Sequence, residues 1–452
     1  MPKFQSLKGF RDFYPEEFAV RAYITDTWRA VAKSFGFQEY DAPPLESLDL
    51  YRHKSGDELV SQLYSFVDKG GREVALRPEM TPSVARMVAE RWQSLPKPVR
   101  WFSIPQLFRY ERPQAGRLRE HFQFNADIFG DASASAEAEL LALLISALQA
   151  FKLTPQDVQI RLSDRRVLNS ILEKLGISSE HHAIAYSVLD KFDREDRASA
   201  ANRLSHAGIE ASVAQALFET VERLRNVKSN EEFEAHFGEG SPFLNMWHEL
   251  IGQVHEPKSW VTFDLAIVRG LGYYTGTVFE VFDTKGKYRA ICGGGRYDGL
   301  LESLGGPSAA AIGLGWGDVV LSTMLADLGR LPKPSPSVEF LVYSSSGKGM
   351  EAKRARNFRE LGISARSVSS ALGNKVQKQI APSITARFHY VTGEGAFVIN
   401  CESKDSVHHQ THDGFLNALQ TEVAERGKPS PDRIWEIACD SKLRYKPLDG
   451  AA

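Results

Sequence analysis

Residues 108–130 read FRYERPQAGRLREHFQFNADIFG, and the fold turns on how this stretch is read. An apolar run, Trp101-Phe102-Ser103-Ile104, leads into it, and Ala126-Asp127-Ile128-Phe129 closes it. Pro113-Gln114-Ala115-Gly116 between them is a turn signal by composition. The pattern predicts strand, loop, strand. Arg109, Arg112, Arg117 and Arg119 interleave with Glu111, Glu120 and Asp127 at and beside the loop. A site that binds a polyphosphate and an ammonium group together needs such a density of charge, because arginines grip phosphates and carboxylates take the cation. The competing reading is a solvated, salt-bridged surface hairpin.

The rest of the chain sets bounds on what such a site can serve. Its 452 residues leave room for two to four domains, and 42% hydrophobic with 25% charged residues is ordinary for a soluble protein with a real core. A net charge of −2 gives no global basic field, so any contact with nucleic acid must come from a local patch. Cys292, Cys401 and Cys439 are far apart, which argues against a disulfide framework or a zinc site and fits a reducing cytoplasm. The opening MPKFQSLKGFRDFYPEE has no apolar core of a signal peptide, and Leu140–Phe151 is too short to span a bilayer, so no membrane partner is expected.

Working outward, Val20–Phe35 has helical spacing and stops at Gly36. Ser61–Asp68 and Arg72–Arg77 look like strands about Lys69-Gly70-Gly71, and Thr81–Leu95 like a helix capped by Thr81 and ended by Pro96. Glu137–Phe151 is a strong helix. Residues 163–250 turn helical and glycine-poor, the mark of a helical insertion at about 165–250. Glycine-rich strands return at 258–321. Leu331–Ser337 is a proline-rich linker, separating a domain over 1–330 from a smaller one over 338–452. In the smaller domain, Glu339–Tyr343, Ala365–Val368, Arg387–Thr392 and Ala396–Asn400 read as strands. Lys348–Leu361 and Gly373–Ile380 read as helices, which gives an α/β alternation. Residues beyond about 424 have no clear pattern.

Four further strings carry chemistry. Arg269-Gly270-Leu271-Gly272-Tyr273-Tyr274-Thr275-Gly276 places an arginine between small residues beside two aromatic walls, or is a turn into a strand. Cys292–Gly299 is glycine-rich but fits neither a P-loop nor GxGxxG; its glycines let strands pack beneath a ligand. Leu76–Thr81 puts Glu79 and Thr81 at a helix start, where they either cap the helix or face a pocket. Gly313-Leu314-Gly315-Trp316-Gly317 makes a strand with one bare face, followed by Asp318-Val319-Val320. His408-His409-Gln410-Thr411-His412 reads as a solvated loop, with no resident metal expected.

Taken together, these strings resemble the histidyl-tRNA synthetases, a family of class II aminoacyl-tRNA synthetases. The match runs from Lys8-Gly9-Phe10-Arg11-Asp12 to about residue 325 and continues more weakly to the end. Pro43-Pro44-Leu45-Glu46 is similar to class II motif 1, Phe108–Gln123 to motif 2, and Arg269–Gly276 and Gly294–Gly299 to the family's RGLDYYTG and GGRYDG. The resemblance implies an α/β protein: an antiparallel-sheet catalytic core with a helical insertion, then a C-terminal α/β anticodon-binding domain. It implies a homodimer that joins L-histidine to tRNA(His), with ATP as substrate and Mg²⁺. Residue by residue, Arg109 would meet the α-phosphate and the substrate carboxylate, Glu111 the adenine amino group, Phe122 the adenine ring and Arg117 the terminal phosphates. Glu79, Thr81, Gln123 and Asp127 would hold the ammonium and imidazole of histidine, Tyr273 and Tyr274 would shape its pocket, and Arg269 would be the catalytic arginine.

The chain departs from the family pattern at Gly272, usually aspartate, and at Val319-Val320, where motif 3 ends in glutamate-arginine. Either another cation such as Arg117 or Arg296 substitutes for the lost guanidinium, or ATP binds differently, or activation is impaired. A non-catalytic, histidine-sensing regulator built on the same core is the alternative reading, and the 115 or so residues after the linker favour the ligase.

Overall fold

The computed structural model describes residues 4–52, 61–114, 116–193, 195–225, 227, 232, 241–268, 274–332, 336–344, 350–368, 386–392, 396–409 and 412–440. Arg269 to Tyr273, part of the linker and the helix expected over Gly373–Ile380 lie outside them. The chain divides into two compact units, 1–332 and 333–452. No helix among the described residues is long and apolar enough to cross a membrane.

In the first unit the strands are β1 (Gln38–Glu39), β2 (Leu45–Ser47), β3 (Ser65–Val67), β4 (Glu73–Leu76), β5 (Val99–Ser103), β6 (Gln106–Phe108), β7 (Glu120–Phe129), β8 (Val158–Asp164), β9 (Val261–Phe263), β10 (Thr277–Asp283), β11 (Cys292–Arg296) and β12 (Ala311–Gly317). They build a large sheet in the order β1-β5-β7-β12-β11-β10-β8-β9, with β6 also paired to β7, and a small sheet β2-β4-β3. The large sheet is antiparallel from β5 to β8 and parallel only in its outermost pairs, β1 with β5 and β8 with β9. The strand-loop-strand reading of the opening stretch corresponds to β6, the loop and β7.

Helices α1 (Pro15–Ser34), α2 (Thr81–Arg91) and α3 (Ala134–Ala150) surround this sheet. α3 buries Leu140, Leu141, Leu143 and Leu144 fully, and α1 contributes Trp28, stacked on Phe124 of β7. Thr81 is not the cap expected from sequence. Met80 holds that place, and Thr81 is the first helical residue ahead of Pro82, whose fixed φ and missing N–H suit a first turn. The insertion is helical, with α4 (Arg165–Lys174) and α5 (His182–Leu189) followed by helices over Arg197–His206, Ala211–Arg225 and Pro242–Gln253. Helix α6 (Asp318–Asp327) follows β12 directly.

The second unit has a five-stranded sheet of Val338–Ser344, Ala365–Ser367, Ala386–Thr392, Ala396–Asn400 and Ser406–His409. Its core stacks Phe340 on Phe358, at 4.2 Å between centroids. The solvated-loop reading of His408-His409 is corrected here: Ser406–His409 is an edge strand, and His409 is buried against Phe415. A helix over His412–Arg426 follows the edge strand, and the stretch beyond about residue 424, which shows no sequence pattern, forms a helix over Pro431–Cys439.

Candidate active site

β7 decides which side chains meet a ligand. Side chains alternate along a strand, so His121, Gln123, Asn125 and Asp127 share one face while Phe122, Phe124 and Ile128 share the other. The glycines of β12 identify the first of these as the open face. A Cβ at Gly317 would lie 3.8 Å from His121, and one at Gly315 would lie 3.1 Å from Gln123. A Cβ at Gly313 would fall on the Asp127 carboxylate and 2.6 Å from the Tyr297 hydroxyl. Gly295 of β11 stands opposite Gly313, and a Cβ there would come within 2.8 Å of the Tyr274 ring. Four strand positions without side chains thus form a floor beneath Gln123, Asp127, Tyr274 and Tyr297.

Asp127 is 2% exposed and accepts a hydrogen bond from the Tyr297 hydroxyl through one oxygen. Its other oxygen, Oδ2, is buried with no hydrogen-bond partner among the described residues. Burial pushes the carboxyl up to about 7, with the tyrosine bond acting against it. Burial, and the nearby Asp127 charge next, also raises Tyr40 well above its ordinary value. A buried acceptor without a donor is costly unless a ligand supplies one.

The charged end lies toward β6. Arg109 follows β6 and donates from Nε to the Pro78 carbonyl at 2.8 Å, which ties it to the segment carrying Glu79 and Thr81. Glu79 is 5% exposed. Arg77, equally buried, fixes that segment by donating to Gln106 O, Asp41 and Ala42 O at 3.0, 2.7 and 2.6 Å. Arg117, half-exposed, is 3.1 Å from Glu111 across the loop.

Phe122 requires a correction. Alternation turns it to the far face, where it packs edge-on to Phe13 and under the Arg21 guanidinium, 4.6 Å from the ring centroid. The flat ring on the open face is His121, which the sequence reading does not single out. Burial, then the charges of Arg109 and Arg11, hold its imidazole down to about 3, so it is a neutral aromatic surface at any ordinary pH. Arg296 is corrected as well. It is 3% exposed and bound through Nε to Glu137 at 2.7 Å, so it cannot serve as a stand-in cation. Tyr297, also missed, lies inside the glycine-rich string that the sequence reading marks only for its glycines.

Val319 and Val320 stand in the first turn of α6. Val320 Cγ2 would be 3.2 Å from a Cβ at Gly116, so the valine lies against the β6–β7 loop, next to Arg117. Just before it, Asp318 accepts from the Phe122 amide at 2.9 Å and from Arg11 Nη1 at 2.9 Å. Arg11 also donates from Nε to the buried Glu120 at 2.6 Å. The N-terminal segment therefore staples the start of β7 to the start of α6. Arg269 and Tyr273 lie outside the described residues, between Val268 and Tyr274.

A family model described as histidyl-tRNA synthetase matches residues 9–316. A histidine–tRNA ligase of Opitutus terrae is 47% identical over 337 residues, 74% of this chain and 77% of the relative. One of Thermoplasma volcanium is 37% identical over 396 residues, 86% of this chain and 89% of the relative. The crystal structure of histidyl-tRNA synthetase from Nostoc sp. PCC 7120 superposes with a TM-score of 0.75 at 22% identity, covering 93% of this chain and 100% of that one, a likeness of fold. With an open face of this make-up carried on this sheet, and relatives matching across most of its length, the chain belongs to the histidyl-tRNA synthetase family.

Proposed function

We propose that the protein activates L-histidine with ATP to histidyl-adenylate and transfers it to tRNA(His). The observation that carries this reading is the buried oxygen of Asp127 above the glycine floor, which has no hydrogen-bond partner among the described residues. It asks for an N–H donor, and histidine brings one on its ammonium and one on its ring. Adenylate formation is attack of one anion, a carboxylate, on another, the α-phosphate, so positioning and charge neutralisation carry most of the work. Arg109 would serve the α-phosphate and carboxylate, Arg117 the outer phosphates and Glu111 the adenine amino group. His121 replaces Phe122 as the ring beneath adenine. Gln123, Thr81, Tyr273 and Tyr274 would complete the histidine pocket, with Arg269 as the catalytic arginine. Mg²⁺ enters on the ATP phosphates, as part of the substrate.

The C-terminal unit would read the anticodon. The homodimer would form through the small sheet β2-β4-β3, which carries the motif 1 residues and exposes Leu45, Phe66 and Val67. Histidine-dependent ATP–pyrophosphate exchange, followed by histidine charging of tRNA(His), tests the reading. Exchange with charging supports the ligase. Histidine binding without exchange supports the regulator, a reading that the valine at position 320 favours.

A further inference from the structure

Five residues, 269–273, carry the arginine assigned to the α-phosphate, and one side chain holds both of their flanks. Arg165, the first residue of α4, donates from Nη2 to the Val268 carbonyl and from Nη1 to the Tyr274 carbonyl, each at 3.1 Å. Its own amide donates to Gly276 O at 3.0 Å. Val268 and Tyr274 are buried. The backbone of Arg165 is itself fixed, because Asp164 caps α4 by accepting from the amides of Arg166 and Val167. The guanidinium lies under the ring of Tyr186 on α5 of the insertion, 5.2 Å from the centroid, and the Tyr186 hydroxyl donates to Asn169 of α4. Burial lowers the Arg165 pKa from its ordinary value, as expected for a cation drawn out of water to face carbonyl dipoles.

A planar guanidinium holds two carbonyls at a set separation through two different nitrogens, whereas the three donors of a lysine ammonium radiate from one atom on a flexible stem and impose no such spacing. We infer that Arg165 is a positioning residue. It fixes the separation of Val268 and Tyr274, the described residues on either side of the segment that carries Arg269, and Tyr186 links that constraint to the helical insertion. The inference rests on Arg269 acting at the α-phosphate, but the clamp can be read without any activity.

The test compares the full-length wild type with Arg165→Ala and Arg165→Lys. Hydrogen exchange of amides 264–278 reads the clamp, and steady-state ATP–pyrophosphate exchange reads its consequence. The alanine variant should speed exchange at 268–274 while leaving the two large-sheet strands β7 and β12 protected. Its kcat should fall roughly 10- to 100-fold, since a displacement of about 1 Å can cost that much. KM for ATP should stay within about twofold, because Arg165 is placed on the loop stems and not on the nucleotide. The lysine variant keeps the charge and most of the packing and should not restore kcat. Unchanged protection at 268–274 in the alanine variant would overturn the inference, as would full recovery with lysine. So would losses in kcat and every KM that simply track a lowered melting temperature. If the wild type shows no pyrophosphate exchange, the ligase reading fails, and the hydrogen-exchange comparison still decides the clamp.

Discussion

Asp127 is the residue whose environment says most about pH. Its folded pKa of about 7 lies above the roughly 3.9 of an unfolded chain. A raised carboxylate contributes stability that is complete below about pH 4 and is lost as pH climbs through about 7. Histidine acts in the opposite sense: its ammonium favours the ionised carboxylate, so binding expels the proton. KM for histidine in pyrophosphate exchange should therefore fall as pH rises from about 6 to about 8, and Asp127→Asn should weaken binding and flatten that dependence. A pH-independent KM in the wild type would place Asp127 outside the pocket. Gly313→Ala should abolish histidine binding while the protein still folds, because the added carbon claims the space of the carboxylate; calorimetry with histidine checks this. His121→Ala should raise KM for ATP, whereas Phe122→Leu should lower the melting temperature and leave KM for ATP nearly unchanged. The reverse pattern would return Phe122 to the nucleotide.

At the scale of elements, the staple from Arg11 joins three pieces of chain distant in sequence. Arg11→Met leaves Glu120, 1% exposed, and the buried Asp318 without their cation. Such a loss costs about 3–5 kcal/mol. Thermal unfolding should register it, with Arg29→Met, which breaks the surface pairs to Asp26 and Glu39, as the much smaller control. Elements with strong periodicity were legible in the sequence: α1, α3 and the strands around the charged loop appear close to where the apolar spacing puts them. The site was legible at the level of which strings approach it, and less so at the level of which face each side chain takes. Phe122 and His121 are neighbours, and a motif read as a string does not say which of them the pleat turns inward; the partner glycines on β12 do. The edge strand at Ser406–His409 was missed because two histidines look solvated until Phe415 covers one of them.

For the whole molecule, two units imply two separable tasks. Ending the chain after Pro332 should preserve histidine-dependent pyrophosphate exchange and sharply weaken charging of tRNA(His). Equal loss of both would mean that the second unit supports the fold of the first. The larger unit has one further property that follows from its shape. Its broad sheet ends on β1, two residues long, and β9, three residues long. Unpaired strand edges are where other chains attach, and edges this short offer a foreign strand almost no ladder to extend. A sheet wide enough to carry the catalytic floor is thereby kept from nucleating aggregates, and the protection lies in how soon its outermost strands stop.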